Sequence, residues 1–294
     1  MTPIISFHQF LVFLVGYLIP IYYLLMTSGI FLTLMLPQLT EAFAKYGKSR
    51  NVQEEGSDSD LKKFINFLGQ LTVPKSYFRH YYWFASIWNP SLFVLDKLFS
   101  WNFFNVSLLS LFVQLQFMRR LYEVQCIQKL SNQAQMHVLH YILGLGHYFC
   151  LAITANSLDT KCSANFSSIL LTSISSVLFS WSSFNQFKAH LALANLRASG
   201  KMDYSLPCEG YFKKCSSPHY FFEILVYFSF VSLTEFQSLN LWLALVFVIC
   251  NLTTTAYFTH SWYLQTFPEN CETLLQRHPI LVFGPSSLGS KKNI

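Results

Sequence analysis

Apolar runs of membrane-spanning length recur along the whole 294-residue chain, at roughly 5–36, 80–99, 102–118, 136–156, 166–187, 219–236 and 239–261. About 20 apolar residues suffice to cross a bilayer as a helix. A soluble domain would carry roughly 25% charged residues, whereas this chain carries 12%, with 52% apolar. That pattern excludes a soluble fold with one large core. It predicts an all-α polytopic membrane protein of about seven transmembrane helices, forming one domain over 1–294. The first run begins at Ile4 with no Lys or Arg before it and outruns a signal-peptide core, so it is read as a retained helix. Pro20 predicts a kink or a break in it. The second run is the weakest, because Asn89 and Pro90 interrupt it.

Charge placement sets an orientation. With the N-terminus outside, the inner segments 37–79, 119–135, 188–218 and 262–294 hold 7, 3, 5 and 3 Lys or Arg. The outer segments hold only Lys97 and Lys161. The positive-inside rule therefore predicts a lumenal N-terminus and a cytosolic C-terminus. The net charge of +6 comes from these loop clusters, so topology explains it and no nucleic-acid partner is expected. Segment 49–63 reads as a mobile cytosolic loop, and 198–215, with Gly200, Pro207 and Gly210, as a cap on the cytosolic side. The tail 284–294 is polar and ends in Lys291-Lys292-Asn293-Ile294, which is similar to a dilysine address for the endoplasmic reticulum. Seven cysteines form no C-x-x-C pair, which argues against a disulfide framework or a zinc site.

Polar side chains then stand out where a bilayer excludes them. Gln186, Lys188, His190 and Arg197 close or follow the fifth run; His219 and Glu223 open the sixth; Asn251 and His260 lie in the seventh, with Tyr263 just beyond it. A mid-bilayer charge costs at least ~2.5 kcal/mol, so such groups normally face a site or cavity. On the topology above, these residues share the cytosolic half with Arg79, His80, Arg119, Arg120, Tyr122, Glu123, His137 and Tyr141. Glu235, at the outer end of the sixth run, is the exception. Blander readings exist. Arg119, Arg120 and Lys188 suit snorkelling anchors, His137, Tyr141 and Tyr81 ordinary interface residues, and Asn251 helix–helix glue. Glu223 lies about a turn inside an apolar helix, where a carboxylate requires a partner.

No H-E-x-x-H, G-x-G-x-x-G or Walker sequence occurs, and no metal is expected. Ser182 and Ser183 lack a nucleophile elbow. What remains is a cytosol-facing pocket with imidazoles, amides and cations (Arg197, Lys201, Lys213, Lys214). It suits an anionic soluble cofactor meeting a lipid that enters from the bilayer. A non-catalytic seven-helix receptor or transporter stays open as a rival reading.

At these residues the chain resembles the steroid 5α-reductase family, in its polyprenol reductase branch. The resemblance runs through Tyr46-Gly47-Lys48, Val73 to His80, Trp88-Asn89, Arg119 to Glu123, Ser131-Asn132, His137, Tyr141 and Gly144-Leu145. It is strongest at Trp181-Ser182-Ser183, Gln186 to His190, Asn195-Leu196-Arg197 and Ser216 to Tyr220 with Glu223, then Asn251, His260, Trp262, Tyr263 and Phe267. It implies a seven-helix enzyme of the endoplasmic-reticulum membrane, with residues 181–283 binding NADPH. Carried over by position, Gln186, His190, Arg197, His219, Glu223, Asn251, His260 and Tyr263 would hold that cofactor. His80 and Arg120 are assigned the catalytic positions. His80 stands where steroid-reducing members carry a glutamate and Phe117 where they carry a tyrosine, which argues against a steroid 3-ketone. Two features depart from the family: His219 replaces its usual asparagine, and Arg277 is displaced from its Tyr-Pro-x-x-Arg position.

The reaction expected from the resemblance is NADPH-dependent reduction of the α-isoprene double bond of polyprenol or polyprenal. That step feeds dolichol synthesis and, through it, protein glycosylation. The partners expected are a long-chain polyprenoid and membrane lipids. A related enoyl-CoA or sterol reductase is the alternative within the same chemistry.

Overall fold

A computed structural model of the protein describes residues 7–36, 69–128, 134–158, 165–198 and 205–281, with the side chains of Arg197, Ala198 and Cys271 outside the description. The loop 49–63, the tail 284–294 with its two lysines, and Lys201 all lie outside the described residues.

The seven apolar runs correspond to seven helical elements. The first is continuous over Phe7–Met35: α1 (Phe7–Phe13), a π-helical stretch (Leu14–Leu18) and α2 (Ile19–Met35). The π stretch is separated from Pro20 by Ile19 alone, and the helix runs on through the proline unbroken. Asn240 donates to the Val15 carbonyl in that stretch at 2.9 Å. The remaining six are α3 (Phe78–Phe99), α4 (Leu108–Tyr122), α5 (Val138–Ser157), α6 (Phe166–Ala198), α7 (Pro218–Leu233) and α8 (Leu239–Thr266). Four elements are long and apolar enough to cross a membrane by length and composition: Phe7–Met35, Val138–Ser157, Phe166–Leu196 and Leu239–Thr266.

Asn89 and Pro90 do not interrupt α3. Proline leaves the carbonyl four residues back without its helical donor; here that is Ser86, and Gln114 Nε2 of α4 donates to it at 3.1 Å. Asn89 is buried and joins three helices, donating to Gln114 Oε1 (3.0 Å) and the Ser110 carbonyl (3.3 Å) and accepting from Asn156 (2.8 Å). The third run was expected to be helical from 102. Instead 102–107 is non-helical, because the buried Asp96 carboxylate accepts the Phe103 and Phe104 amides at 2.8 and 2.9 Å. A reciprocal cap between Ser107 and Ser110 then starts α4.

The all-α expectation needs one amendment. β1 (Thr72–Pro74) pairs antiparallel with β2 (Gln135–His137), with Thr72 opposite His137. This ribbon ties the chain ahead of α3 to the chain ahead of α5, so both helices start side by side. His137 caps α5 by accepting the Leu139 amide at 3.0 Å, its structural reading. Glu235 is likewise structural. It sits with Phe236 in left-handed conformation (φ 50° and 64°) in the α7–α8 turn and accepts from Ser168 at 2.5 Å.

α6 packs along α7, α8 lies against α2 and α7, and α3 packs on α4 and α5. Large apolar side chains stay exposed outside the bundle. On α4 they are Leu111, Leu115 and Met118; on α6, Ile169, Leu170, Ile174, Val177, Trp181 and Phe184. Stripes of this extent at helical spacing suit a lipid environment, not water.

Candidate active site

The polar residues of three helices meet because each set has helical spacing. Gln116, Arg120 and Glu123 recur at i, i+4 and i+7 at the end of α4. Gln186 and His190 share one face of α6, and His219 and Glu223 one face of α7. At their junction lies a network of two cations and two carboxylates, with Arg120 and Glu123 buried and Arg119 and Glu223 half-buried.

Glu123 is its centre, fully buried at 0% exposure. Both arginines pair with it, Arg119 through Oε1 and Arg120 through Oε2. His190 Nδ1 lies 2.7 Å from Oε2 and 2.8 Å from Arg120 Nη1. One nitrogen cannot donate to the carboxylate and accept from the guanidinium together. Between an anion and a cation, Nδ1–H pointing at Glu123 is the favourable tautomer, which leaves Nε2 as an acceptor. Glu123 also opens a π-helical turn (Glu123–Ile127), the kind of helical irregularity that often marks functional sites.

The network continues into α6 and α7. Arg119 Nη2 donates to Gln116 Oε1 at 3.0 Å and also to Gln186 Oε1. Gln116 Nε2 donates to Gln186 at 3.2 Å and reaches both Glu223 oxygens at 3.5 Å. Gln186 Nε2 donates to Glu223. The Glu223 carboxylate thus has the partners its position demanded. The His219 ring stands 5.3 Å from that of His190 and 6.3 Å from that of Phe212. Phe212 belongs to the segment expected to cap the site, and its described part does pack here.

Of the sequence-assigned residues, Arg120, Gln186, His190, His219 and Glu223 are therefore brought together. His260 and Tyr263 form a neighbouring cluster. The buried His260 accepts from or donates to Ser216 Oγ at 2.7 Å through Nδ1, beside the start of α7. Tyr263 is buried one turn further along α8. Asn251 lies more than two turns before His260, and its side chain makes no hydrogen bond among the described residues. Arg197 occupies the last turn of α6.

His80 stands apart from the ion-pair network. Its Nδ1 is 3.1 Å from the Tyr141 hydroxyl, a contact set by the ribbon ahead of both helices. From there an aromatic row leads back. Tyr141 stacks on Tyr81 at 5.6 Å, Tyr81 lies 5.9 Å from Tyr148, and Tyr148 meets Tyr82 edge-on at 5.3 Å. Tyr82 then accepts from Arg120 Nη2 at 3.1 Å.

The displaced Arg277 has a contact of its own. It is 2% exposed and donates to the Pro207 carbonyl at 2.8 Å and to Cys208 Sγ at 3.4 Å. The chain after α8 is pinned beside it by Ser216 N–H to the His278 carbonyl and His278 N–H to the Lys214 carbonyl, each 2.9 Å. Burial pushes the Cys215 thiol in this seam up to about 12, and burial lowers His278 below the usual imidazole range. A neutral His278 matches its geometry, since its Nδ1 accepts the Ile280 and Leu281 amides at 3.3 and 3.0 Å.

Gln116, Tyr82, Tyr148 and the central role of Glu123 were absent from the sequence assignment. For Glu123 a signal existed: Arg-Arg-x-x-Glu places a carboxylate at i+3 and i+4 from two arginines. The tyrosines gave none, because an aromatic residue inside an apolar run reads as core.

Comparison with known proteins bears on the same region. Residues 153–274 match the family model described as 3-oxo-5-alpha-steroid 4-dehydrogenase. Polyprenal reductase of Saccharomyces cerevisiae is 30% identical over 231 residues, covering 78% of this chain and 81% of that protein. Polyprenal reductase 1 of Oryza sativa subsp. indica is 26% identical over 310 residues, covering 80% and 86%. Polyprenal reductase of Homo sapiens is 26% identical over 294 residues, covering 83% and 90%. With similarity sustained over four-fifths of both chains, and with the family's late motifs meeting in one network, this chain belongs to the steroid 5α-reductase family.

Proposed function

We propose that this protein reduces the α,β double bond of polyprenal, using NADPH, in the endoplasmic-reticulum membrane, on the route to dolichol and dolichol-linked glycosylation. The observation that supports it most is the junction of Gln186, His190, His219 and Glu223 with the α4 arginines, inside a chain similar to polyprenal reductases. The seven helical elements are read as seven spans, with the N-terminus lumenal and the C-terminus cytosolic. That orientation opens the junction toward the cytosol, the source of a soluble anionic cofactor.

The residues present fit such a cofactor. Ser217 Oγ and His260 Nε2 are buried without a partner among the described residues, at and beside the N-terminus of α7. Orphaned buried polar atoms call for a ligand or water, and a helix N-terminus favours anionic groups. Ser217, His260, Tyr263 and the Arg197 position are assigned to its phosphates and ribose, and Gln186, His190, His219 and Glu223 to its nicotinamide end. Asn251 is assigned to the inner wall of that site. When bound, NADPH supplies the hydride.

Hydride addition needs an electrophilic β-carbon. An allylic alcohol offers none, whereas an α,β-unsaturated aldehyde does, so polyprenal rather than polyprenol is the reacting species. His80 or a neighbouring donor polarises the aldehyde oxygen, a contribution of about 2–4 kcal/mol for one well-placed donor. Arg120 holds the end of the tyrosine row that leads from His80 to the cofactor residues. The exposed apolar stripes keep the isoprene tail within the bilayer.

Purified protein should consume NADPH faster with polyprenal than with polyprenol, a 3-oxo-Δ4 steroid or an enoyl-CoA. Faster turnover of the steroid or the enoyl-CoA would replace this reading with that of a sibling reductase.

A further inference from the structure

A neutral imidazole has one nitrogen that donates and one that accepts, and the bond made by one decides what the other can do. His80 Nδ1 lies 3.1 Å from the Tyr141 hydroxyl. Either the phenol donates to Nδ1, or Nδ1–H donates to the phenol oxygen. A phenol O–H is a far stronger acid than a neutral imidazole N–H, and the bare imidazole nitrogen is the stronger base. The phenol therefore donates, and the ring proton sits on Nε2, which points away from Tyr141. Among the described residues Nε2 has no hydrogen-bond partner, and the ring is only half-buried.

The surroundings hold this arrangement in place. The ribbon of β1 and β2 starts α3 and α5 side by side and so brings His80 to Tyr141. The Tyr77 ring lies 4.6 Å from that of His80 and 5.7 Å from that of Tyr141. Tyr81 stacks on Tyr141 at 5.6 Å, and its own hydroxyl donates to the His140 carbonyl at 3.1 Å. Gly144, nearly one turn along α5, admits the Tyr81 ring, since a Cβ there would stand 2.7 Å from it. The Tyr141 hydroxyl makes no other hydrogen bond among the described residues. The sequence reading of Tyr141 as an ordinary interface residue leaves this contact without a purpose.

We infer that Tyr141 is the positioning residue for His80: by donating to Nδ1 it keeps the Nε2 proton aimed at the aldehyde oxygen. The inference rests on the polyprenal reading above. A neutral imidazole suits that role, because it can polarise a carbonyl without first taking up a proton. As negative charge gathers on the aldehyde oxygen, the hydrogen bond from Nε2 strengthens while the proton stays on nitrogen. Without the phenol the ring can turn, or carry its proton on Nδ1. Either state presents a lone pair to an oxygen that needs a donor.

Tyr141→Phe keeps the ring stack and removes only the hydroxyl. It should lower kcat on polyprenal about 10-fold, less than the roughly 10²–10³-fold that loss of a whole oxyanion donor costs. NADPH affinity, read by cofactor fluorescence without substrate, should stay unchanged. His80→Gln offers an amide N–H with no tautomer to set, so adding Tyr141→Phe to it should cost almost nothing further. A purely structural tyrosine would cost the same in both backgrounds. The tautomer is also readable without turnover, by nitrogen NMR of histidine-labelled protein at mildly alkaline pH, with the His80 signals assigned by their loss in His80→Gln. Nε2 should show the protonated shift and Nδ1 the unprotonated one, and this wild-type measurement decides even if Tyr141→Phe does not fold. Undiminished kcat in Tyr141→Phe, an equal cost in the His80→Gln background, or a His80 ring unprotonated at Nε2 or protonated at both nitrogens, overturns the inference alone. Wild-type protein inert toward polyprenal overturns the parent reading and this one with it.

Discussion

Glu123→Gln removes one charge from the site while nearly keeping its shape. In the native protein that carboxylate is fully buried and receives Arg119, Arg120 and His190. Without the charge, two guanidiniums with side-chain exposures of 16% and 10% face a neutral amide, with Glu223 as the nearest other anion in the network. Breaking a buried pair by removing one partner costs about 3–5 kcal/mol, because the other charge is left uncompensated. At about 2 °C per kcal/mol for a chain of this length, the melting temperature of detergent-purified protein should fall by roughly 6–10 °C. Charge, not packing, is the stated cause, so a second substitution should repair it. Arg120→Met in the Glu123→Gln background removes the stranded cation and should recover at least half of the lost stability, leaving a coupling that a double-mutant cycle can measure. Activity should not recover, since Arg120 also holds Tyr82. A melting temperature within 2 °C of wild type for Glu123→Gln, or no recovery in the double variant, would refute the network as drawn.

Two further outcomes test the frame around the site. A Cβ at Gly144 would lie 2.7 Å from the Tyr81 ring, which Tyr141 and the His140 carbonyl hold in place. Gly144→Ala should therefore destabilise the protein by about 1–3 kcal/mol, and Tyr81→Leu should relieve most of that cost in a thermal-shift comparison. Among the described cysteines, Cys126 and Cys208 are exposed, whereas Cys150 and Cys215 are buried. Alkylation of the folded protein at pH 8, read peptide by peptide, should mark the first two and spare Cys215, whose thiol burial holds up at about 12.

The helical plan was legible because apolar length is a property of segments, which sequence displays directly. So was the meeting of Gln186, His190, His219 and Glu223, since each pair sits four residues apart on one helix face. Other features depended on contacts between distant segments. Asn89-Pro90 read as a break because the repair comes from Gln114, on another helix. The three-residue ribbon that sets His80 against Tyr141 is too short to leave a periodic pattern. Arg277 looked displaced from a motif, while its burial against Pro207 and Cys208 depends on the chain folding back over the start of α7. Tyr82, which accepts from Arg120, was hidden by chemistry, since a tyrosine serves equally as apolar filler and as a hydrogen-bonding group.

The most direct test of the proposed activity is product analysis with labelled cofactor. Polyprenal incubated with the purified protein and NADPH deuterated at the transferring position should give an aldehyde saturated in its α-isoprene unit, carrying one deuterium on the β-carbon by tandem mass spectrometry. Deuterium on the aldehyde carbon, which marks carbonyl reduction to the allylic alcohol, or no saturated product at all, would contradict it.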